Sequence, residues 1–255
     1  MRDGTSDARH VVVLTGAGVS AESGLGTFRD AGGTWTQVNI EEVATPKAYA
    51  ANPARVHAFY DARRRQALAA QPNAAHRALA GLARDLEARG GRLTLVTQNV
   101  DDLHERAGSG RVIHMHGELA RARCTGCDRV HEWTGDLAGG ENGRGAPCPA
   151  CGEPLRPHIV WFGEVPFRMD EIEDAVTGAD LFVAIGTSGA VYPAAGYVDL
   201  ARSHGVRTME INMAPSDNAA AFDERRYGAA TEAVPAWASS LAGTAAATGS
   251  SERDS

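Results

Sequence analysis

Four short runs of apolar and β-branched residues punctuate the chain: Val11 to Leu14, Leu93 to Thr97, Leu181 to Ile185, and one that ends in Asn212. Runs of this length, bounded by glycine and polar clusters, predict strands buried on both faces of a sheet. Between them apolar residues recur at helical spacing. Asn52-Pro53 reads as an N-cap with proline in the first helical position, which predicts a helix over about 53–70. Val56, Phe59, Tyr60 and Arg63 then lie on neighbouring rows. Asn73 is a second N-cap, for a helix that carries Leu79, Leu82 and Leu86 and stops at Gly90-Gly91. DEIEDAVTGAD predicts a third helix, and HIVWFGEV, closed by Pro166, an extended stretch. Val112 and Ile113 form a shorter apolar run ahead of His114 and His116. Strands alternating with helices argue for a mostly parallel sheet covered on both faces.

Glycine placement sharpens that picture. The first strand runs into Thr15-Gly16-Ala17-Gly18, the order of a dinucleotide-binding βα unit. Gly16 would make the turn, Gly18 would let backbone approach a pyrophosphate, and Ala21 supplies the small residue for helix packing. Backbone N–H groups at a helix N-terminus would then favour the phosphate charge. A glycine turn after a strand is often only a turn. However, the polar stretch from Ser20 to Gly33 is long for a bare connection, and Phe28 and Arg29 within it suit a loop closing over a ligand. Hydride transfer fits poorly: Glu41 and Glu42 stand near the distance for a ribose acid, but NIEEVATP does not read as a strand end.

The fold class that follows is α/β, a Rossmann-like parallel-sheet domain with a smaller inserted domain. Residues 9–37, 71–120 and 156–241 are assigned to the large domain. A helical module over 38–70 and a cysteine-bearing module over 121–155 form the small one, with a ligand cleft between the two. The tails 1–8 and 242–255 are polar or of low complexity and are expected to be disordered.

The 255 residues are enough for a sizeable core, and a formal charge of −7 argues against general nucleic-acid binding. Lys47 is the only lysine beside many arginines, a compositional bias without functional weight. No secretory leader and no membrane span are read, which points to a cytoplasmic protein. Cys124-x-x-Cys127 and Cys148-x-x-Cys151, separated by residues 128–147, match a four-thiolate zinc pattern. Four thiolates close the tetrahedron, so the zinc is expected to be structural. A redox dithiol and a zinc-ribbon nucleic-acid module are the weaker alternatives.

His116 is the candidate general base: it follows a strand, precedes Gly117 and titrates near neutrality. His114 is expected on the opposite side of the strand. His10, His57, His76, His131, His158 and His204 are read as structural. Gln98, Asn99 and Asp101, at the C-terminal end of a buried strand, suit a carboxamide and ribose hydroxyls, or else a simple capping turn.

Taken jointly and in order, GAGVSAESGLGTFRDAGG, TQNVDDLHERAG, HMHGEL, the paired C-x-x-C, HIVWFGEVP, GTS and INMAPS resemble the sirtuins, the NAD-dependent protein deacylases. The resemblance spans Val11 to Val234. It lies nearest the bacterial CobB-type group of class III, through Ala44-Thr45-Pro46, FYDARRRQ and VIHMHGEL.

The resemblance implies that NAD is bound by Gly16, Ala17, Gly18, Ser20, Ala21, Glu22, Thr27, Phe28, Arg29 and Trp35. It adds Gln98, Asn99 and Asp101 around nicotinamide and its ribose, Gly186, Thr187 and Ser188 as a phosphate and ribose loop, Asn212 at a ribose and Ala230 at adenine. HIVWFGE would pair by backbone with an acyl-lysine protein or peptide, with Val160, Trp161 and Phe162 walling the lysine tunnel. His116 would act as base while the acyl group passes to the ribose, giving free lysine, nicotinamide and O-acyl-ADP-ribose. Tyr60 and Arg63, at i and i+3 beside the small Ala44, mark the class that removes succinyl and malonyl groups. A monomer with one structural zinc and no nucleic-acid or membrane partner is expected. The competing readings are a mono-ADP-ribosyltransferase on the same scaffold and, more remotely, a zinc-ribbon nucleic-acid-binding protein.

Overall fold

The computed structural model describes residues 8–26, 39–139 and 143–243. Its strands are β1 (His10–Thr15), β2 (Arg92–Thr97), β3 (Val112–His114), β4 (Gly117–Cys124), β5 (Val130–Glu132), β6 (Leu155–Ile159), β7 (Leu181–Ile185), β8 (Arg207–Asn212) and β9 (Glu224–Tyr227). Six of them form one parallel sheet in the order β3-β2-β1-β7-β8-β9. β1 lies centrally, with Val13 opposite Leu95 on one side and Val183 on the other. The chain builds outward from β1 through β2 to β3, then returns to β7 and builds the other way. The order therefore reverses between β1 and β7, and a crevice opens at their C-terminal ends.

The helices are α1 (Pro46–Ala51), α2 (Pro53–Ala69), α3 (Ala74–Ala88), α4 (Leu103–Arg106), α5 (Met169–Thr177), α6 (Tyr197–Ser203) and α7 (Ala230–Gly243). Alternate residues of β1 serve two cores, which is why its sequence is continuously apolar. Val11 and Val13 join Leu79, Leu82 and Leu86 of α3 with Trp237 and Leu241 of α7. Val12 and Leu14 join Ile172 and Val176 of α5 with Val198 and Ala201 of α6. The predicted caps hold: Asn52 accepts from the Arg55 N–H at 3.0 Å, and Asn73 from the Ala75 N–H at 2.9 Å.

The remaining three strands form an antiparallel sheet, β5-β4-β6. Both β4 and β6 cross the boundaries drawn at 120/121 and 155/156, because the smaller sheet starts at Gly117 and returns at Ile159. Helix α2 packs between this sheet and the cysteine-bearing segment. It carries two buried stripes instead of one apolar face: Val56 and Tyr60 on one, His57, Asp61 and Arg64 on the other.

Candidate active site at the sheet crevice

The loops that follow β1 and β7 interlock backbone to backbone. Gly16 N–H donates to Ile185 C=O at 2.9 Å and Gly18 N–H to Gly186 C=O at 2.8 Å. A Cβ on Gly16 would meet the Gly186 carbonyl oxygen at 2.7 Å, and one on Gly18 the Gly186 Cα at 2.7 Å. Gly186 has a φ of +61° and is hemmed in by Gly18 in turn. The two glycines are thus required by the neighbouring loop, a different reason from the approach to a pyrophosphate expected of Gly18. The helix expected after the turn is also replaced. Ala17–Val19 and Ala21–Ser23 are two 3₁₀ turns joined at Ser20, too short to sum a large dipole. Thr27, Phe28, Arg29 and Trp35 lie outside the described residues.

Beneath the loops lies a dry polar floor. The buried Ser20 hydroxyl donates to Asp101 Oδ2 at 3.1 Å and accepts from Asn99 Nδ2 at 3.1 Å. Asp101 Oδ1 accepts the Leu103 N–H at 3.1 Å. Burial raises the Asp101 carboxyl above its ordinary range, against these hydrogen bonds. His76 Nε2 lies 3.3 Å from Ser20 Oγ, and His104 Nε2 lies 3.0 Å from Thr15 Oγ1. The two rings sit 4.8 Å apart. Burial drives His76 down to about 4 and His104 well below its usual value, so both stay neutral at pH 7. Sequence reasoning placed neither histidine here. The available signal was local, since Asn73 at a helix start with His76 three residues on turns the ring back over the cap, where Asn73 N–H meets its Nδ1 at 3.3 Å.

Around this floor the other expected contacts converge. Gln98 Nε2 is buried and has no hydrogen-bond partner among the described residues, as a group awaiting a polar ligand would be. Asn212, at the end of β8, donates to Thr187 C=O at 2.8 Å, which ties it to the loop carrying Gly186 and Ser188. Glu22 accepts from the Thr231 N–H and hydroxyl at 3.0 and 2.6 Å, which fastens the first loop to α7 next to Ala230.

His116 sits where the two sheets meet. Its Nδ1 lies 3.1 Å from the Gln98 carbonyl oxygen, so Nδ1 carries the proton and Nε2 is the basic nitrogen. Burial lowers its pKa, partly offset by that hydrogen bond. Its own carbonyl accepts the Val160 N–H at 2.9 Å. His114 does not face away as expected. Residues two apart share a face of a strand, and its Nδ1 reaches the adjacent carbonyl, Asn99, at 3.3 Å. Glu105 at 2.7 Å from Nε2 helps raise its pKa against burial.

From Val160 the chain runs to a second pole. Phe162 N–H donates to Ala44 C=O at 3.0 Å, and the Tyr60 ring lies 6.4 Å from that of Trp161. Ala44, Tyr60 and Trp161 belong to one buried cluster, whereas Phe162 is exposed. Burial raises the Tyr60 phenol well above its ordinary pKa and lowers that of the half-buried Arg63, whose guanidinium lies 5.4 Å from the Phe59 ring centre. The backbone N–H groups of Val160, Trp161 and Phe162 are all satisfied internally, with Trp161 donating to Glu164 Oε2 at 2.8 Å.

Cys124, Cys127, Cys148 and Cys151 form a cluster in which all four sulfurs lie within 4.8 Å of one another. Cys124–Cys151 and Cys127–Cys148 Sγ separations are 3.4 and 3.9 Å, too long for disulfides. They bracket the roughly 3.8 Å edge of a tetrahedron with Zn–S bonds of about 2.3 Å. Backbone N–H groups of Cys127 and Gly126 point at the Cys124 sulfur and bring its pKa down to about 6. Cys151 is raised by the sulfurs beside it despite a helpful Glu153 N–H, a conflict that a central cation would relieve. The donor set fits one zinc ion with no open position.

A model of the Sir2 family matches residues 16–193. The NAD-dependent protein deacylase of Caulobacter vibrioides is 60% identical over 233 residues, covering 91% of this chain and 96% of that one. The protein of the same description from Escherichia coli K12 is 53% identical, covering 91% and 81%. Among solved structures, a mutant Sir2 homologue in complex with ADP-ribose superposes with a TM-score of 0.86 at 37% identity, over 96% of this chain and 98% of that one. A Sir2 homologue complexed with NAD gives 0.83 at 39%, over 94% and 92%. With its interlocked glycine loops, the polar floor beneath them and a four-cysteine cluster in the smaller sheet, the chain belongs to the Sir2 family.

Proposed function

We propose that this protein is an NAD-dependent protein-lysine deacylase that accepts acetyl and carboxylate-bearing acyl groups such as succinyl and malonyl. One observation carries the reading. His116 is bonded at its ring to the Gln98 carbonyl and at its own carbonyl to Val160, so one residue stands between the glycine-loop pole and the Ala44/Tyr60/Trp161 pole. NAD would be held over Gly16 to Glu22, by Gln98, Asn99 and Asp101, and by Gly186 to Ser188, Asn212 and Ala230. Bound there, it supplies the ribose that receives the acyl group, with nicotinamide and O-acyl-ADP-ribose as products. His116, neutral and protonated on Nδ1, takes a proton at Nε2. Ser20, Asn99 and Asp101 orient hydroxyl and amide groups from a floor that excludes water. Within HIVWFGE, the backbone next to the exposed Phe162 would pair with the acyl-lysine peptide.

At the far pole Arg63 and Tyr60 would receive the acyl carboxylate. Zinc, held by the four cysteines, has no vacant coordination position and serves the fold alone. Thiols that stay reduced suit a cytoplasmic location. No helix among the described residues is long and apolar enough to cross a membrane. The same reading takes the chain as a monomer without a nucleic-acid partner, and its formal charge of −7 supports the second of these.

The test is incubation with NAD and matched acetyl- or succinyl-lysine peptides. Nicotinamide, free lysine peptide and O-acyl-ADP-ribose should form in equal amounts. ADP-ribose attached to protein would favour the transferase alternative, and the absence of NAD turnover would end the enzymatic reading.

A further inference from the structure

Helix α2 presents two faces with different duties. Val56, Tyr60 and Arg63 follow i, i+4, i+7 spacing and line the acyl pole. His57, Asp61 and Arg64 have the same spacing one residue on, roughly 100° around the helix. That second stripe would normally be apolar, yet its members are 0%, 1% and 1% exposed.

Each member of this stripe makes a hydrogen bond to backbone of the small domain, although His57 Nδ1 and Arg64 Nη2 have no hydrogen-bond partner among the described residues. Asp61 accepts the Leu137 N–H at 2.9 and 3.0 Å and the Ala138 N–H at 2.8 Å. Arg64 pairs with Asp61 at 2.5 Å, donates through Nε to Leu119 C=O at 2.6 Å and through the same terminal nitrogen to Gly135 C=O at 3.0 Å. His57 Nε2 lies 3.2 Å from the Arg144 carbonyl oxygen. Gly135, Leu137, Ala138 and Arg144 all lie in sequence between the two cysteine pairs. Leu137 is fully buried in one cluster with Cys124 and Cys148, and its carbonyl accepts the Ala146 N–H at 3.1 Å.

A physical chain therefore leads from the cysteine cluster through Leu137 to Asp61, the residue next to Tyr60. A buried ion pair is a poor source of stability, since desolvation consumes most of the Coulomb gain, but it fixes register, because an unpaired or slipped charge is strongly penalised.

We infer that Asp61 and Arg64 are positioning residues for acyl recognition: the zinc-bearing module holds α2 through them, and so sets where Tyr60 and Arg63 stand against the acyl group. The inference rests on the deacylase reading above. Asp61 and Arg64 touch no substrate, and their effect is confined to the pole that α2 builds. The glycine loops are held by β7 and the His116 ring by the Gln98 carbonyl. Arg64 reaches β4 only at the Leu119 carbonyl, three residues beyond His116, so Asp61→Asn, which spares that bond, is the cleaner variant.

The test compares Asp61→Asn with wild type. The substitution keeps the shape but loses the charge and turns an amide against two backbone N–H donors. For protein that is folded and carries one zinc per chain, KM for a succinyl-lysine peptide should rise on the order of tenfold, since misplacement by a fraction of an ångström is felt at a bidentate site. kcat for that peptide, kcat/KM for the acetyl peptide and KM for NAD should each stay within about twofold.

Arg64→Lys keeps the charge and loses the fork to Leu119 and Gly135, and should act in the same direction. The double variant Asp61→Leu/Arg64→Met removes both buried charges and guards against loss of folding. A parallel fall in both acyl activities, no change in either, or failure of all three variants to fold would overturn the positioning role. Failure of the underlying reading looks different: wild type would then lack NAD-dependent deacylation, or Arg63→Met would lack acyl selectivity.

Discussion

Arg63→Met is the sharpest probe of acyl recognition. Methionine keeps the unbranched stem but removes the guanidinium, which lies 5.4 Å from the Phe59 ring centre. Arg63 is only half-buried, yet its pKa is lowered mainly by burial, so its charged end lies in a partly dry setting. Beside it the Tyr60 hydroxyl belongs to a side chain that is 3% exposed. A succinyl carboxylate delivered there gains a charge-assisted contact worth about 1.5–3 kcal/mol, or roughly tenfold to a hundredfold in affinity. The contact forms in both ground and transition states, so its loss should appear as a raised KM with little change in kcat. An acetyl group brings no charge and should be turned over within about twofold of wild type. The assay is kcat/KM for matched acetyl and succinyl peptides at saturating NAD, with Tyr60→Phe expected to act in the same direction more weakly. A parallel loss of both activities would show that Arg63 supports the helix and does not read the carboxylate.

Four further outcomes are expected. Cys148→Ser, or prolonged chelation, should release zinc and lower the melting temperature together; a stable, active, zinc-free protein would refute the structural assignment. His116→Ala should cost about 10²–10⁴-fold in deacylation while zinc content and fold persist. In wild type, the acid limb of kcat/KM should have its midpoint below pH 6.5, because burial lowers the His116 pKa and the base must be neutral. Finally, burial lowers His76 and His158 to about 4 each and His104 well below its usual value. Below pH 6.5 the unfolded chain protonates these residues before the folded one does, so stability should be full above that value and decline towards pH 4. Urea midpoints at pH 7.5 and 5.5 measure this, and equal midpoints would contradict it.

Much of the large domain could be read directly because its strands are buried on both faces. HVVVLT and LFVAI must be apolar throughout, and few other structures require that. The caps at Asn52 and Asn73 were equally legible, since capping is local chemistry. What escaped were features decided at long range. β9 reads ERRY and lies at the sheet edge, where no apolar pattern is needed. α7 starts against Glu22, more than two hundred residues away, and contains Pro235, so neither end nor interior signals a helix. The glycines at 16 and 18 were recognised as necessary, but the reason, contact with Gly186, lay in another loop. Nothing in the sequence distinguishes Asp61 and Arg64 from surface charges in an arginine-rich helix. Only the approach of residues 135–138 buries them.

The two-faced construction of α2 limits how this protein can change over evolutionary time. Inserting or deleting one residue ahead of Tyr60 would rotate every later side chain by about 100°. A deletion would turn Asp61 and Arg64 to the acyl pole, and an insertion would turn the Tyr60 ring to the backbone of the cysteine loop. Such a length change exchanges the duties of two faces at once and leaves a buried charge stranded. Point substitution at 60 or 63, by contrast, touches one face and leaves the other in register. Acyl preference should therefore drift among relatives by replacement at these two positions, with the length of the helix and the spacing to 61 and 64 kept constant.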